Sequence, residues 1–160
     1  MQEARTRPGH AAAGAGTVPG KRLGIGLNFA EHAADLDEER PGEPASFLKP
    51  ATAVTGPRGP IRLPDPAITE RVTAEAELAV VIGRTCRDVS VAEAPGVIAG
   101  YMAVIDVTAE DVLAENPRYL TRSKSFDSFL VLGDRITLLP PPTDLDPVTV
   151  RTRIDGQVIA

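Results

Sequence analysis

Ala74-Glu75-Ala76-Glu77-Leu78-Ala79-Val80-Val81-Ile82 decides the fold of this chain. Its first half alternates, and its second half, Leu78 to Ile82, is continuously apolar, the pattern of a strand buried on both faces. Residues two apart on a strand point to the same side, so Glu75 and Glu77 share a face roughly 6.5 to 7 Å apart. Two carboxylates so placed repel unless they are solvated or share a cation. An isolated Glu-x-Glu is ordinarily a solvated strand face. Here the apolar run beside it carries the strand into a core, which weakens that explanation.

The next strand outward is Tyr101 to Val107, with Asp106 at the end of Met102-Ala103-Val104-Ile105. Asp106 is either a turn or cap residue before Val107-Thr108, or a third carboxylate beside Glu75 and Glu77. Three carboxylates at the ends of two buried strands form an oxygen-only set suited to Mg²⁺, Mn²⁺ or Ca²⁺ over Zn²⁺. Further strands are predicted at Leu23 to Leu27, whose Gly24 and Gly26 permit a close approach, and at Ala45 to Lys49, Phe129 to Leu132 and Ile136 to Leu139. Ile61 to Pro64 reads as a brief edge piece. Val148 to Ile154 alternates and runs into Asp155-Gly156, a type I′ hairpin signal, with Gln157 to Ala160 returning.

Helix signals are fewer. Asn28 with Glu31 forms a capping box for a helix from Phe29 to about Glu39, stopped by Pro41-Gly42. Ser90 with Glu93 forms a second box, opening a short helix to about Ile98 that Pro95-Gly96 disturbs. Residues 1–20 are Gly, Ala, Pro and Arg without periodicity and read as a poorly ordered lead-in to a single domain over residues 21–160.

Composition agrees with short elements and many turns. The 160 residues include 15 Pro and 14 Gly, with only 4% aromatics. The net charge is −5 with both signs interspersed, so no basic stripe tracks a nucleic acid. The longest strongly apolar run is too short to span a membrane, and no secretory leader is recognised. The single cysteine, Cys86, fits a reducing cytoplasm and reads as a small half-buried residue after a strand.

Four other residues carry potential chemistry. His32 and Asp35 are three apart and share a helix face, where a carboxylate orients an imidazole and strengthens it as a base; an exposed helix pair explains the spacing equally well. Lys49 ends Phe47-Leu48-Lys49, and Lys124 lies in Ser123-Lys124-Ser125-Phe126-Asp127. Either lysine serves as an anion-binding cation or as a surface residue with a snorkelling stem. Gly24-Ile25-Gly26 lacks the later glycine of a dinucleotide fingerprint. Ser46-Phe47-Leu48-Lys49 lacks the companion motifs of penicillin-binding enzymes. No Gly-x-Ser-x-Gly elbow is present.

In order along the chain, these stretches resemble the fumarylacetoacetate hydrolase family. Gly26-Leu27-Asn28-Phe29-Ala30-Glu31-His32-Ala33 resembles the Gly-Leu-Asn-Tyr-x-x-His-Ala that opens its catalytic domain. Phe47-Leu48-Lys49-Pro50, Glu75-Ala76-Glu77-Leu78, the strand to Asp106-Val107-Thr108-Ala109, and Lys124-Ser125-Phe126-Asp127 resemble its later motifs. The resemblance implies a β-rich α+β roll or barrel holding one Mg²⁺ or Mn²⁺ through Glu75, Glu77 and Asp106. It implies His32 as the base that activates water, with Asp35 in the place of the usual Glu. It gives Lys49 and Lys124 to the oxo-acid end of a small substrate, and makes a homodimer the candidate assembly.

Members of the family hydrolyse carbon–carbon bonds in acylpyruvates and fumarylacetoacetate, and others decarboxylate, isomerise or hydrate related oxo-acids. Two departures bear on this chain. Glu110 replaces a usual Arg after Asp106. The family's later strands and glycine-rich loop are not found before Ala160, so the barrel is expected to be incomplete. The alternative to a metal-dependent hydrolase is then a non-catalytic remnant that binds a metal or a partner chain.

Overall fold

The computed structural model describes residues 9–12 (as backbone), 20–26, 42–138, 145 and 148–159. Its strands are β1 (Gly9–Ala12), β2 (Leu23–Gly26), β3 (Ala45–Leu48), β4 (Val54–Thr55), β5 (Val72–Ile82), β6 (Ile98–Ala109), β7 (Leu130–Leu132), β8 (Arg135–Leu138), β9 (Arg153–Ile154) and β10 (Gln157–Val158). Two short helices, α1 (Glu110–Glu115) and α2 (Leu120–Ser123), come after β6. The expected β-rich α+β class is therefore found; among the described residues the sheet does not close into a barrel.

The long antiparallel ladder of β5 and β6 organises the sheet, from Val72 opposite Ala109 to Val80 opposite Tyr101, with an irregularity between Val81 and Ile82. The other edge of β6 is shared by β7, at Val104 to Asp106, and β8, at Tyr101. β4 joins β7 in parallel and β1 joins β8 antiparallel, which makes the sheet mixed. β2 with β3, and β9 with β10, form separate two-stranded ribbons.

Alternation along β6 sends Val107 and Ala109 to one side and Asp106 and Thr108 to the other. The apolar pair joins Val112 and Phe129 in the core, with Ile61, Val72, Tyr119 and Phe126 against it. The rings of Phe126 and Phe129 lie 5.3 Å apart in a tilted arrangement, a favoured aromatic geometry. Both faces of this end of the ladder are buried, and here the site is built.

Several expectations need correction. Leu78 to Ile82 is not buried on both faces: Val80 is 48% and Ile82 54% exposed. By register Val80, Ala103 and Ile105 lie on the face that Val107 and Ala109 bury at its other end, and here they are exposed among the described residues. β2 is not a buried strand either, with Leu23 63% and Ile25 49% exposed. Its Gly24 does permit a close approach, because a Cβ there would collide with the Phe47 ring across the ribbon.

The Ser90–Glu93 box forms, Ser90 Oγ and N donating to Glu93 Oε2 at 2.6 and 3.2 Å. It opens onto a 3₁₀ turn, Ala94–Val97, because Pro95 disrupts α-helical bonding. Residues 61–64 form no strand. Gly9–Ala12, within the stretch read as an unstructured lead-in, forms β1 by backbone pairing to Arg135–Leu138, which side-chain patterning does not reveal. The Asp155-Gly156 turn has positive φ at both residues, 49° and 80°, as a type I′ turn requires. Its strands are shorter than the alternation suggested. The predicted helix from Phe29 lies outside the described residues.

Candidate active site

Register brings the carboxylates together. Glu75 stands directly opposite Asp106, and Glu77 opposite Val104. Thr108, two residues beyond Asp106, falls on the same face. Directly opposed like charges destabilise a ladder, and two buried lysines offset the repulsion here.

Lys124 lies just past the last residue of α2. Its Nζ donates to Glu75 Oε2 at 2.9 Å, Asp106 Oδ2 at 2.8 Å and Thr108 Oγ1 at 2.7 Å, a full set of partners for an ammonium. The Phe47 ring centroid lies 5.1 Å from the same nitrogen, within cation–π range. Burial alone would lower the Lys124 pKa, but attraction to Asp106 and then Glu75 outweighs it and holds the ammonium above its usual range.

Lys49 lies just past β3. Its Nζ donates to the carbonyls of Val107 at 3.3 Å, Lys124 at 2.6 Å and Phe129 at 2.6 Å, and sits 2.5 Å from Asp106 Oδ1. Asp106 Oδ1 is thus buried in an ion pair with the Lys49 ammonium. Burial lowers the Lys49 pKa, and attraction to Asp106 offsets part of the effect.

Glu77 makes no hydrogen bond or ion pair among the described residues. Burial, then repulsion from Glu75 and Asp106, raises its pKa to about 7. At the far end of the ladder, Glu110 accepts from Thr73 Oγ1 at 2.5 Å. Asp111 Oδ2 accepts from Thr69 Oγ1 and from the amides of Glu70 and Arg71 at 3.1, 2.7 and 2.9 Å. The carboxylate that replaces the family's cation is thus tied to the start of β5.

Five of the seven residues expected to form the site are described, and they converge: Lys49, Glu75, Glu77, Asp106 and Lys124. His32 and Asp35 lie outside the described residues. Thr108 and the Phe47 ring were missed. The first could have been found from its i+2 spacing to Asp106 on a strand, the second from its place in the Phe47-Leu48-Lys49-Pro50 stretch.

Glu75, Glu77 and Asp106 are oxygen donors, the chemical type that hard divalent cations take. Asp106 Oδ1 is buried against the Lys49 ammonium, and burial, then repulsion from Glu75 and Asp106, favours the protonated form of Glu77. The present spacing is set by the Lys124 ammonium, which stands between Glu75 and Asp106. No three His, Cys, Asp or Glu among the described residues close round a point that could hold a metal.

The family model for the fumarylacetoacetate hydrolase C-terminal domain matches residues 21–160. The chain belongs to this family. An uncharacterized protein of Archaeoglobus fulgidus is 43% identical over 142 residues, covering 89% of this chain and 54% of its relative. Among solved structures, a 5-carboxymethyl-2-hydroxymuconate delta-isomerase from Mycobacterium smegmatis is 42% identical with a TM-score of 0.69, covering 86% of this chain and 53% of the other. A fumarylacetoacetate hydrolase from Exiguobacterium antarcticum is 32% identical with a TM-score of 0.72, covering 86% and 49%. The fumarylacetoacetate hydrolase-type domain seen here thus spans about half the length of the proteins it matches. Among the described residues no helix is long and apolar enough to cross a membrane.

Proposed function

We propose that this chain forms the metal- and substrate-binding part of a divalent-metal-dependent hydrolase that cleaves a carbon–carbon bond in a small dicarbonyl acid of the acylpyruvate or fumarylacetoacetate type. The observation that carries this reading is the cross-strand set of Glu75, Glu77 and Asp106 on one sheet face, balanced by a buried ammonium. Those three carboxylates would hold Mg²⁺ or Mn²⁺, which would polarise the oxo and carboxylate oxygens of the substrate. Lys124 supplies positive charge to the substrate's anionic end. His32 accepts the proton of the attacking water and Asp35 orients its imidazole. A cytoplasmic setting belongs to the same reading, supported by a lone, exposed Cys86, and so does a homodimer.

A second reading is isomerisation of a related oxo-acid, favoured by the isomerase named among the similar structures. Decarboxylation and hydration use the same metal set. A non-catalytic metal- or partner-binding role is favoured by the part of the β5 and β6 face that no described residue covers. Calorimetric titration with Mg²⁺ and Mn²⁺, on wild type and Glu77→Ala, tests the metal set. Equal binding by the two proteins would sink it. Turnover of an acylpyruvate that survives His32→Ala would place the base elsewhere.

A further inference from the structure

The sheet face that carries Glu75 and Asp106 continues past them. Alternation puts Thr73 on it, two residues before Glu75, and register sets Thr73 opposite Thr108. Thr108 is 2% exposed and accepts from Lys124 Nζ on the buried side of the set. Thr73 is exposed, so the face opens to solvent at this end. There the Thr73 hydroxyl donates to Glu110 Oε1 at 2.5 Å. Glu110 begins α1, and its amide donates to Arg71 O at 2.8 Å.

Backbone and side chain of Glu110 are thus both anchored to the start of β5. Its carboxylate is held about one two-residue strand repeat from Glu75, roughly 7 Å along the face. Among the described residues no Lys or Arg forms an ion pair with it. The buried ammoniums of Lys49 and Lys124 are engaged by Asp106 and Glu75. Glu110 therefore places a fixed negative charge at the open end of the site face.

We infer that Glu110 is a specificity-determining residue: it selects an oxo-acid with one carboxylate and a neutral far end, the acylpyruvate type, over one with carboxylates at both ends, the fumarylacetoacetate type. This rests on the proposed binding of an oxo-acid at the Glu75 and Asp106 set and narrows the class of that acid. A small oxo-acid whose carboxylate lies toward Lys124 spans a few carbons before it reaches the open end of the face. A second carboxylate arriving there meets the like charge of Glu110, which the Thr73 hydroxyl holds in place. An alkyl end meets no such repulsion.

The probes are 2-oxovalerate and 2-oxoglutarate, which differ only at the far end, methyl against carboxylate. Each is titrated calorimetrically into the full chain with Mg²⁺ present, for wild type and for Glu110→Gln, which keeps an acceptor for Thr73. Wild type is expected to bind 2-oxovalerate about tenfold more tightly, the effect of one like charge at this distance near a protein surface. Glu110→Gln is expected to bring the two acids within about threefold, by tightening 2-oxoglutarate alone. Raising the salt concentration on wild type should narrow the preference in the same way, because the repulsion is screened, and this arm needs no variant. Equal binding of the two acids by wild type, or a preference that neither salt nor Glu110→Gln changes, would overturn the role of Glu110 and leave the oxo-acid reading standing. Binding of neither acid by either protein would overturn both.

Discussion

Lys49 Nζ sits 2.5 Å from Asp106 Oδ1 and also donates to three main-chain carbonyls. The lysine therefore neutralises Asp106 through space while tying together β6, the end of α2 and the approach to β7. Removing it leaves a buried carboxylate short of charge and three carbonyls short of donors. Lys49→Met should lower the unfolding free energy by roughly 3–5 kcal/mol, read from urea denaturation curves. An unchanged midpoint would show that the lysine is dispensable to the fold.

Glu77 makes stability depend on pH in a defined direction. Its carboxyl is raised from 4.5 to about 7, so the folded protein favours the protonated form. That contribution is complete below the unfolded value and is lost as pH rises through the folded one. Metal-free protein should lose stability between pH 4.5 and about 7, whereas Glu77→Gln should be flatter across this window. Because a metal must displace the proton, Mn²⁺ should restore stability most at the alkaline end. Urea midpoints at about pH 5 and about pH 8, with and without Mn²⁺, check both statements. A wild-type profile no steeper than that of Glu77→Gln would refute them.

The part of the sheet face that no described residue covers should make the chain associate. Val80 is 48% and Ile105 36% exposed, and they lie on the same face as Leu78 and Ala103. The outer edge of β5 is unpaired by any strand among the described residues, apart from the Ala76 amide, which donates to Thr152 Oγ1 at 3.0 Å. Apolar patches with a free edge attract other chains. Sedimentation should show concentration-dependent assemblies, and Val80→Glu with Ile105→Glu should shift them toward monomer. A wild-type chain that stays monomeric at high concentration would contradict this.

Gly24 is required by the ring that faces the Lys124 ammonium. A Cβ at this position would strike Phe47, which is 6% exposed and has little room to retreat. Gly24→Ala should therefore cost about 1–3 kcal/mol, measured by thermal or urea unfolding. It should also disturb the site, because the Phe47 ring must shift against the ammonium 5.1 Å away. A substitution with no effect on stability would mean that the ring is free to move.

The sequence by itself determined the strands that carry the chemistry. A period of two put Glu75 with Glu77, and an apolar run ending in Asp106 marked the second strand, because a strand's faces alternate whatever lies beside it. It also determined the Asp155-Gly156 turn, whose backbone angles these two residues favour. Tertiary structure alone decided the register that sets Glu75 opposite Asp106, since pairing partners depend on contacts distant in sequence. It alone separated the two lysines, which look alike in sequence. What distinguishes them is that Lys49, besides pairing with Asp106, donates to main-chain carbonyls from β6 and the approach to β7, whereas Lys124 donates to side-chain oxygens of Glu75, Asp106 and Thr108. It also overruled the apolar run at Leu78 to Ile82. Hydrophobicity shows that such a face favours burial, but whether it is buried depends on a covering layer that the strand's own residues do not supply.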